Sequence, residues 1–164
     1  KLVWIDRAVL SDSRPDERSM FTWTTRFRQF VEGPGAAFTL DYRFFRDDWK
    51  ITAHTLDAAW KQPLGSNWEL APSIRYHAQS APDFYAPYFA VRPSGDYWSS
   101  DYRLATYGAL SYRLHARLRA TSWSLSMGAE YYDSSQSLAL AQARQDAPGL
   151  VDFWRLSAAF RFDY

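Results

Sequence analysis

Residues 152–164 read DFWRLSAAFRFDY, in which Leu156, Ala158, Phe160, Phe162 and Tyr164 occupy alternate positions and Arg155, Arg161 and Asp163 stand between them. A period of two is the period of a β-strand, whose successive side chains point to opposite faces, so this segment has one apolar and one charged face. Six further segments repeat the pattern. Residues 20–31 set Phe21, Trp23, Thr25, Phe27 and Val31 against Thr22, Thr24, Arg26 and Arg28, and residues 38–46 set Phe38, Leu40, Tyr42 and Phe44 against Thr39, Asp41 and Arg43. In 52–62, Leu56, Ala58 and Trp60 oppose Asp57 and Lys61; in 68–79, Trp68, Leu70, Ile74 and Tyr76 oppose Glu69, Ser73, Arg75, His77 and Gln79. The spacing predicts a strand over 101–117, with Tyr102, Leu104, Leu110, Tyr112 and Leu114 against Arg103, Arg113, His115 and Arg117. Another is predicted over 123–132, with Trp123, Leu125, Met127, Ala129 and Tyr131 against Ser124, Ser126, Glu130 and Tyr132.

Short connections such as EGPGA and PLGSN carry Gly, Pro and Asn, the residues that tight turns select. Long connections fall at about 80–100 and 134–151, and the one helical hint is a turn within LALAQARQD. With alternating short and long connections the strands run up and down, and RDDWK is the only short connection on the long-loop side. Residues 1–19 read as an outer loop or the end of a preceding strand, because alternation breaks at Trp4-Ile5 and DSRPDER follows. Pro72 sits inside a predicted strand, where its missing N–H marks a bulge or an unpaired position.

Composition narrows the class. The 164 residues make one domain or part of a larger one, and 19 Lys plus Arg against 18 Asp plus Glu argue against a nucleic-acid binder. The absence of cysteine excludes disulfides, thiol catalysis and Cys-based zinc sites. A mean hydropathy of -0.44 combined with 18% aromatics suits neither a helical membrane protein nor a disordered chain. No apolar run approaches the roughly 18 residues of a spanning helix. Strands that alternate, however, hide lipid-facing residues among polar ones.

Two folds fit alternation alone: a soluble β-sandwich or lipocalin-like barrel with the apolar face inward, and an antiparallel up-and-down transmembrane β-barrel with that face outward. Three features favour the second. Apart from Arg46 and Asp152 at segment ends, the apolar faces carry no charge. If strands run up and down, Trp60, Trp68, Trp123, Phe162 and Tyr164 gather at the short-turn end and Phe44, Tyr76, Tyr102, Tyr131 and Trp154 at the long-loop end. Aliphatics such as Leu40, Leu70, Leu125 and Ala158 lie between, as two membrane interfaces would select. Short turns at one rim and long loops at the other match the asymmetry of outer-membrane barrels. The expectation is an all-β chain of about seven strands over 20–164, the C-terminal portion of a larger barrel, because such barrels take an even number of strands.

Read together, RPDER, LDYRFFRDDWKITAHTL, WKQPLGSNWELAPSIRYHAQSAPDFYAPYF and WRLSAAFRFDY resemble the C-terminal part of a family of uncharacterised bacterial outer-membrane barrel proteins, catalogued as a domain of unknown function. The resemblance runs from about residue 12 onward and implies a Gram-negative outer-membrane location, contact with outer-membrane lipid and upstream strands. It supplies no catalytic motif and implies no cofactor. Relatives tend to be encoded near a very small lipoprotein and envelope redox components, which points to a small lipoprotein or other envelope protein as partner. The closing Phe160, Phe162 and Tyr164 resemble the signal read by the barrel-assembly machinery, although such signals usually end in Phe.

The charged faces hold the candidate chemistry. Arg26, Arg28, Arg43, Lys61, Arg75, Arg103, Arg113, Arg117, Arg155 and Arg161 are expected to line the lumen with Asp41, Asp57, Glu69, Glu130 and Asp163. Surplus cations favour anions in a pore, while cross-strand pairs equally serve to brace its wall. His54, His77 and His115 lack metal-ligand spacing, and Ser73 with His77 is a pair that any serine-rich strand produces. In the loop after Gln79, the aromatics Phe84, Tyr85, Tyr88, Phe89, Tyr97 and Trp98 stack on sugars or a partner, or fold inward to constrict a pore. Two functions follow: a pore, transport or envelope-assembly scaffold, and an outer-membrane lipase-like or protease-like enzyme with its site at the outer rim.

Overall fold

The computed structural model describes residues 2–5, 8–91 and 93–162. Among them a hairpin of β1 (Leu2–Ile5) and β2 (Ala8–Ser11) stands apart from a seven-stranded sheet. The sheet holds β3 (Met20–Val31), β4 (Ala36–Asp47), β5 (Thr52–Leu64), β6 (Trp68–Gln79), β7 (Tyr107–Arg119), β8 (Trp123–Ser135) and β9 (Phe153–Phe162). Each strand pairs antiparallel with the next in sequence order, so the sheet is an up-and-down meander. It is open: β3 and β9 form its two edges. No helix of the described residues is long and apolar enough to cross a membrane, which leaves strands untouched as a means of crossing.

Register keeps the two faces separate across all seven strands. One row joins Leu40, Ala58, Ile74, Tyr112, Tyr131 and Trp154, and a neighbouring row joins Asp41, Asp57, Arg75 and Ser111. The apolar face is the uncovered one. Leu156 is 78% exposed and Trp154 70%, and Phe21, Trp23, Phe27, Ile74, Leu114, Met127 and Phe160 are exposed with them. The small buried core lies on the other side, where Ile51, Tyr85, Leu104 and Ala105 pack with Phe45, Trp49 and Phe84. Phe45 belongs to the charged face of β4, so this core closes over the long-loop end of that face.

Three expectations need correcting. Residues 101–106 are not strand: Asp101 accepts the Arg103 N–H and caps a 3-10 turn over Tyr102–Leu104, and Leu104 turns into the loop core. Tyr102 therefore leaves the outer apolar face and Arg103 leaves the charged rows, since β7 begins only at Tyr107. Strand β8 runs three residues further than the alternation shows, which sets Asp133 opposite Leu110 on the apolar face. There it lies at the long-loop rim, beside a second 3-10 turn at Gln136–Leu138, which ends where LALAQARQD begins; residues 139–146 of that stretch form no helical turn. Asp152 lies just outside β9, and Asp163 and Tyr164 fall outside the described residues.

Pro72 behaves as an unpaired position, not a bulge. The β5–β6 ladder lapses opposite it, between Ala59↔Ser73 and Gln62↔Leu70, and resumes in the same register, while Pro72 still faces Leu114 of β7. Gly108 marks a close approach: a Cβ there would run into the backbone carbonyl of Leu138, whose oxygen also accepts from Tyr76 Oη at 2.6 Å. Gly108→Ala should cost about 1–2 kcal/mol by overpacking and expose residues 136–152 to protease. Gly33→Ala, with open space around its Cβ, should leave urea unfolding and proteolysis unchanged.

Candidate functional site: the charged face and its loop roof

Alternation places one charged side chain per two residues on a single face, and antiparallel register then sets those of neighbouring strands side by side. Of the cations and carboxylates expected there, all but Arg103 and Asp163 share that face: Arg26, Arg28, Arg43, Lys61, Arg75, Arg113, Arg117, Arg155 and Arg161 with Asp41, Asp57, Glu69 and Glu130. A chain of ion pairs crosses five strands. Arg75 meets Asp57 at 3.1 Å, Arg113 reaches the same Asp57 at 3.9 Å and Glu130 at 3.2 Å, and Arg155 closes on Glu130. Arg113 on β7 thus reaches Asp57 on β5 across β6.

At the sides, Arg28 grips Asp41 through both carboxylate oxygens and Lys61 meets Glu69 at 3.0 Å. Arg117 donates to Ser126 Oγ at 3.2 Å. Arg26 stands opposite Asp41 and shares its charge with Arg28, Arg43 has no carboxylate partner among the described residues, and the nine cations named outnumber the four carboxylates on this face. The Asp57 and Glu130 pairs are partly solvated and each is worth about 1 kcal/mol or less, which makes the network a matter of side-chain placement more than of stability.

Over the long-loop end of this face lies a roof. Residues 80–106 fold inward: Tyr85 is buried, and Phe84 packs on Trp49 at 5.4 Å and on Tyr97 at 6.5 Å. Phe89 and Trp98 are half-buried, whereas Tyr97 and Tyr88 are exposed, Tyr88 to 71%. Part of the loop therefore faces the sheet and part faces outward. Residues 12–19 run along the same rim, held by a Ser13 and Trp98 backbone pair, by Arg18 on Asp47 at 2.5 Å and by Arg14 on Asp101 at 3.1 Å. Asp101 is 1% exposed and accepts also from the Arg103 guanidinium at 2.6 Å. Gln79 at the end of β6 donates to the carbonyls of Arg103 and Ala105, which ties the roof to the sheet.

The roof's charges are mutually adapted. Burial works against the charge on Arg14, yet its hydrogen bonds to Asp12 and Asp101 outweigh that and raise its pKa. The hydrogen bond to Asp101 raises that of Arg103. Burial, and then the Asp101 charge, raises the Tyr85 phenol, and the hydrogen bond from Lys50 lowers Asp83. Asp12 Oδ2 accepts from Arg14 and from Ser99 Oγ, while its Oδ1 is buried without a partner among the described residues. Arg18 also lies over the Trp49 ring at 4.3 Å.

The histidines are dispersed. His54 bonds Tyr42 Oη at 2.8 Å against Phe44 on the apolar face, and His77 bonds Thr55 Oγ1 at 2.9 Å on the charged face, so its Nδ1 serves no serine. Sequence reasoning missed Arg14, Arg18, Asp47, Trp49 and Asp101, which build the roof. They sit in RPDER, RDDWK and the start of the misread strand, and only an N-cap reading of Asp101 offered a local signal.

On comparison with known proteins, the chain belongs to the family described as Protein of unknown function (DUF3570), whose model matches residues 3–160. Neither a curated protein nor a solved structure matches it.

Proposed function

We propose that this member of the DUF3570 family is an integral β-barrel of a Gram-negative outer membrane, acting as an anion-favouring pore or an envelope transport and assembly scaffold without a catalytic site. Its apolar face meets lipid, and its charged face lines a wet lumen that residues 80–106 partly roof. The observation that carries this reading is the course of the aromatic residues across the sheet. The upper band starts at the Trp23↔Phe44 row, drops one row to Tyr76, and drops another to Tyr112, Tyr131 and Trp154. The lower band starts at Phe38↔Trp60, drops two rows to Trp68, and one more to Trp123↔Phe162.

Both bands thus slip toward the short turns by about one residue per strand. With a rise of about 3.4 Å per residue and strands about 4.8 Å apart, that slope matches a strand tilt of about 35°. Rings held at two fixed heights in a membrane, on strands tilted as barrel strands tilt, would trace such oblique and parallel bands. A water-soluble core has no fixed height to impose.

Closure needs further strands. In a seven-stranded meander β3 and β9 run the same way, so an antiparallel barrel closes through an odd number of additional strands, which makes the total even as bacterial barrels require. The exposed Phe160 and Phe162 of β9 are the residues the barrel-assembly machinery would read, and the aromatics left on the roof suit a small lipoprotein or other envelope partner.

Planar-bilayer recording tests the reading. The protein should carry steady current with a reversal potential biased toward anions, and Glu130→Gln should deepen that bias by freeing charge on Arg113 and Arg155, at a stability cost of about 1 kcal/mol or less. A silent or cation-selective protein would count against the pore.

A further inference from the structure

A cavity of about 460 Å³ lies between the roof and the charged face of β4, β5 and β6, and its lining includes Arg14, Arg18, Arg43, Arg103, Trp49 and His77. Three of its four guanidinium groups are already committed: Arg14 to Asp12 and Asp101, Arg18 to Asp47, and Arg103 to Asp101. Arg43 is the fourth, without a carboxylate partner among the described residues. Register sets it in one row with Thr55 and His77, on three adjacent strands about 4.8 Å apart. Thr55 Oγ1 and His77 Nδ1 are joined at 2.9 Å, so the imidazole is held in place in the cavity wall.

We infer that this cavity is a binding site for an oxyanion, a phosphate or carboxylate group of a small organic molecule, with Arg43 as its charge and His77 and Thr55 as its neutral polar wall. Among the described residues four guanidinium groups of the lining face the three carboxylates Asp12, Asp47 and Asp101, an excess of positive charge that suits an anionic group. The planar guanidinium presents paired donors that match two oxygens of such a group. The volume is several times that of the anionic group itself and falls in the range of small-molecule pockets, which leaves room for an organic body against Trp49. The site stands on the roof and the register alone, and does not depend on conduction.

Trp49 in the wall supplies the reporter. Inorganic phosphate, and separately acetate, is titrated at constant ionic strength into the detergent-solubilised protein while tryptophan emission is followed. The expected result is a saturable change that Arg43→Gln weakens at least tenfold, that Arg43→Lys partly retains, and that Lys61→Gln, at the far end of the same face, leaves alone. Saturation by phosphate only, or by acetate only, assigns the group. No saturable change in a wild-type protein that migrates as folded, or equal affinity in Arg43→Gln, overturns the site. Because the readout is binding in detergent, that failure would leave an anion-biased bilayer current standing, and a silent bilayer would leave the binding standing.

Discussion

Leu114→Arg should destabilise the protein in phospholipid vesicles by about 2 kcal/mol, the cost of a guanidinium inside the aromatic bands, though short of the midplane, on the face proposed to meet lipid. Leu114 is an exposed residue of the apolar face, in the row with Pro72, Ala129 and Leu156, between the two aromatic bands. Leu64→Arg, at the short-turn end of β5 on the same face, should cost about 0–1 kcal/mol, because a long side chain at that level reaches headgroups and water. Urea titration of the reconstituted protein by tryptophan emission measures both. The contrast is the diagnostic quantity, since an exposed leucine on a water-facing sheet would tolerate arginine at either position. Equal and small costs would falsify the assignment of the apolar face to lipid.

Asp101→Ala should release the roof. The carboxylate is buried and accepts from Arg14, from the Arg103 side chain and from the Arg103 backbone N–H. Losing a buried charged acceptor and its capped turn should weaken roof closure by about 2–3 kcal/mol while the strands stay paired. Leu104 and Tyr85 then lose the turn that seats them in the small core. The measurements are protease cleavage within 80–106, expected to rise by more than tenfold, and single-channel conductance, expected to increase as the mouth opens. An unchanged cleavage pattern would show that Gln79 and the Tyr85 core hold the roof without the aspartate.

The strands were legible because their signal is local. Six of the seven predicted segments coincide with observed strands to within a few residues, and face assignment follows once the period is two. The exception, at 101–106, continues the alternation but carries an aspartate whose side chain competes for a nearby backbone N–H, and capping won. Asp133 escaped for the opposite reason: pairing with β7 carried β8 past the point where the apolar pattern stops. The separate hairpin of Leu2–Ile5 and Ala8–Ser11 was not legible either, since its four-residue strands are too short for a period to declare itself.

The amino-acid order by itself determined that this is an all-β meander with one apolar and one charged face, because alternation and turn residues act over neighbouring positions. Only the tertiary structure decided which charges meet, how the aromatic bands slope, and that loop 80–106 turns inward. Those depend on register and on partners far apart in the chain, as Arg14 is from Asp101 and Arg18 from Asp47. A period of two carries no information about which row of one strand stands beside which row of the next.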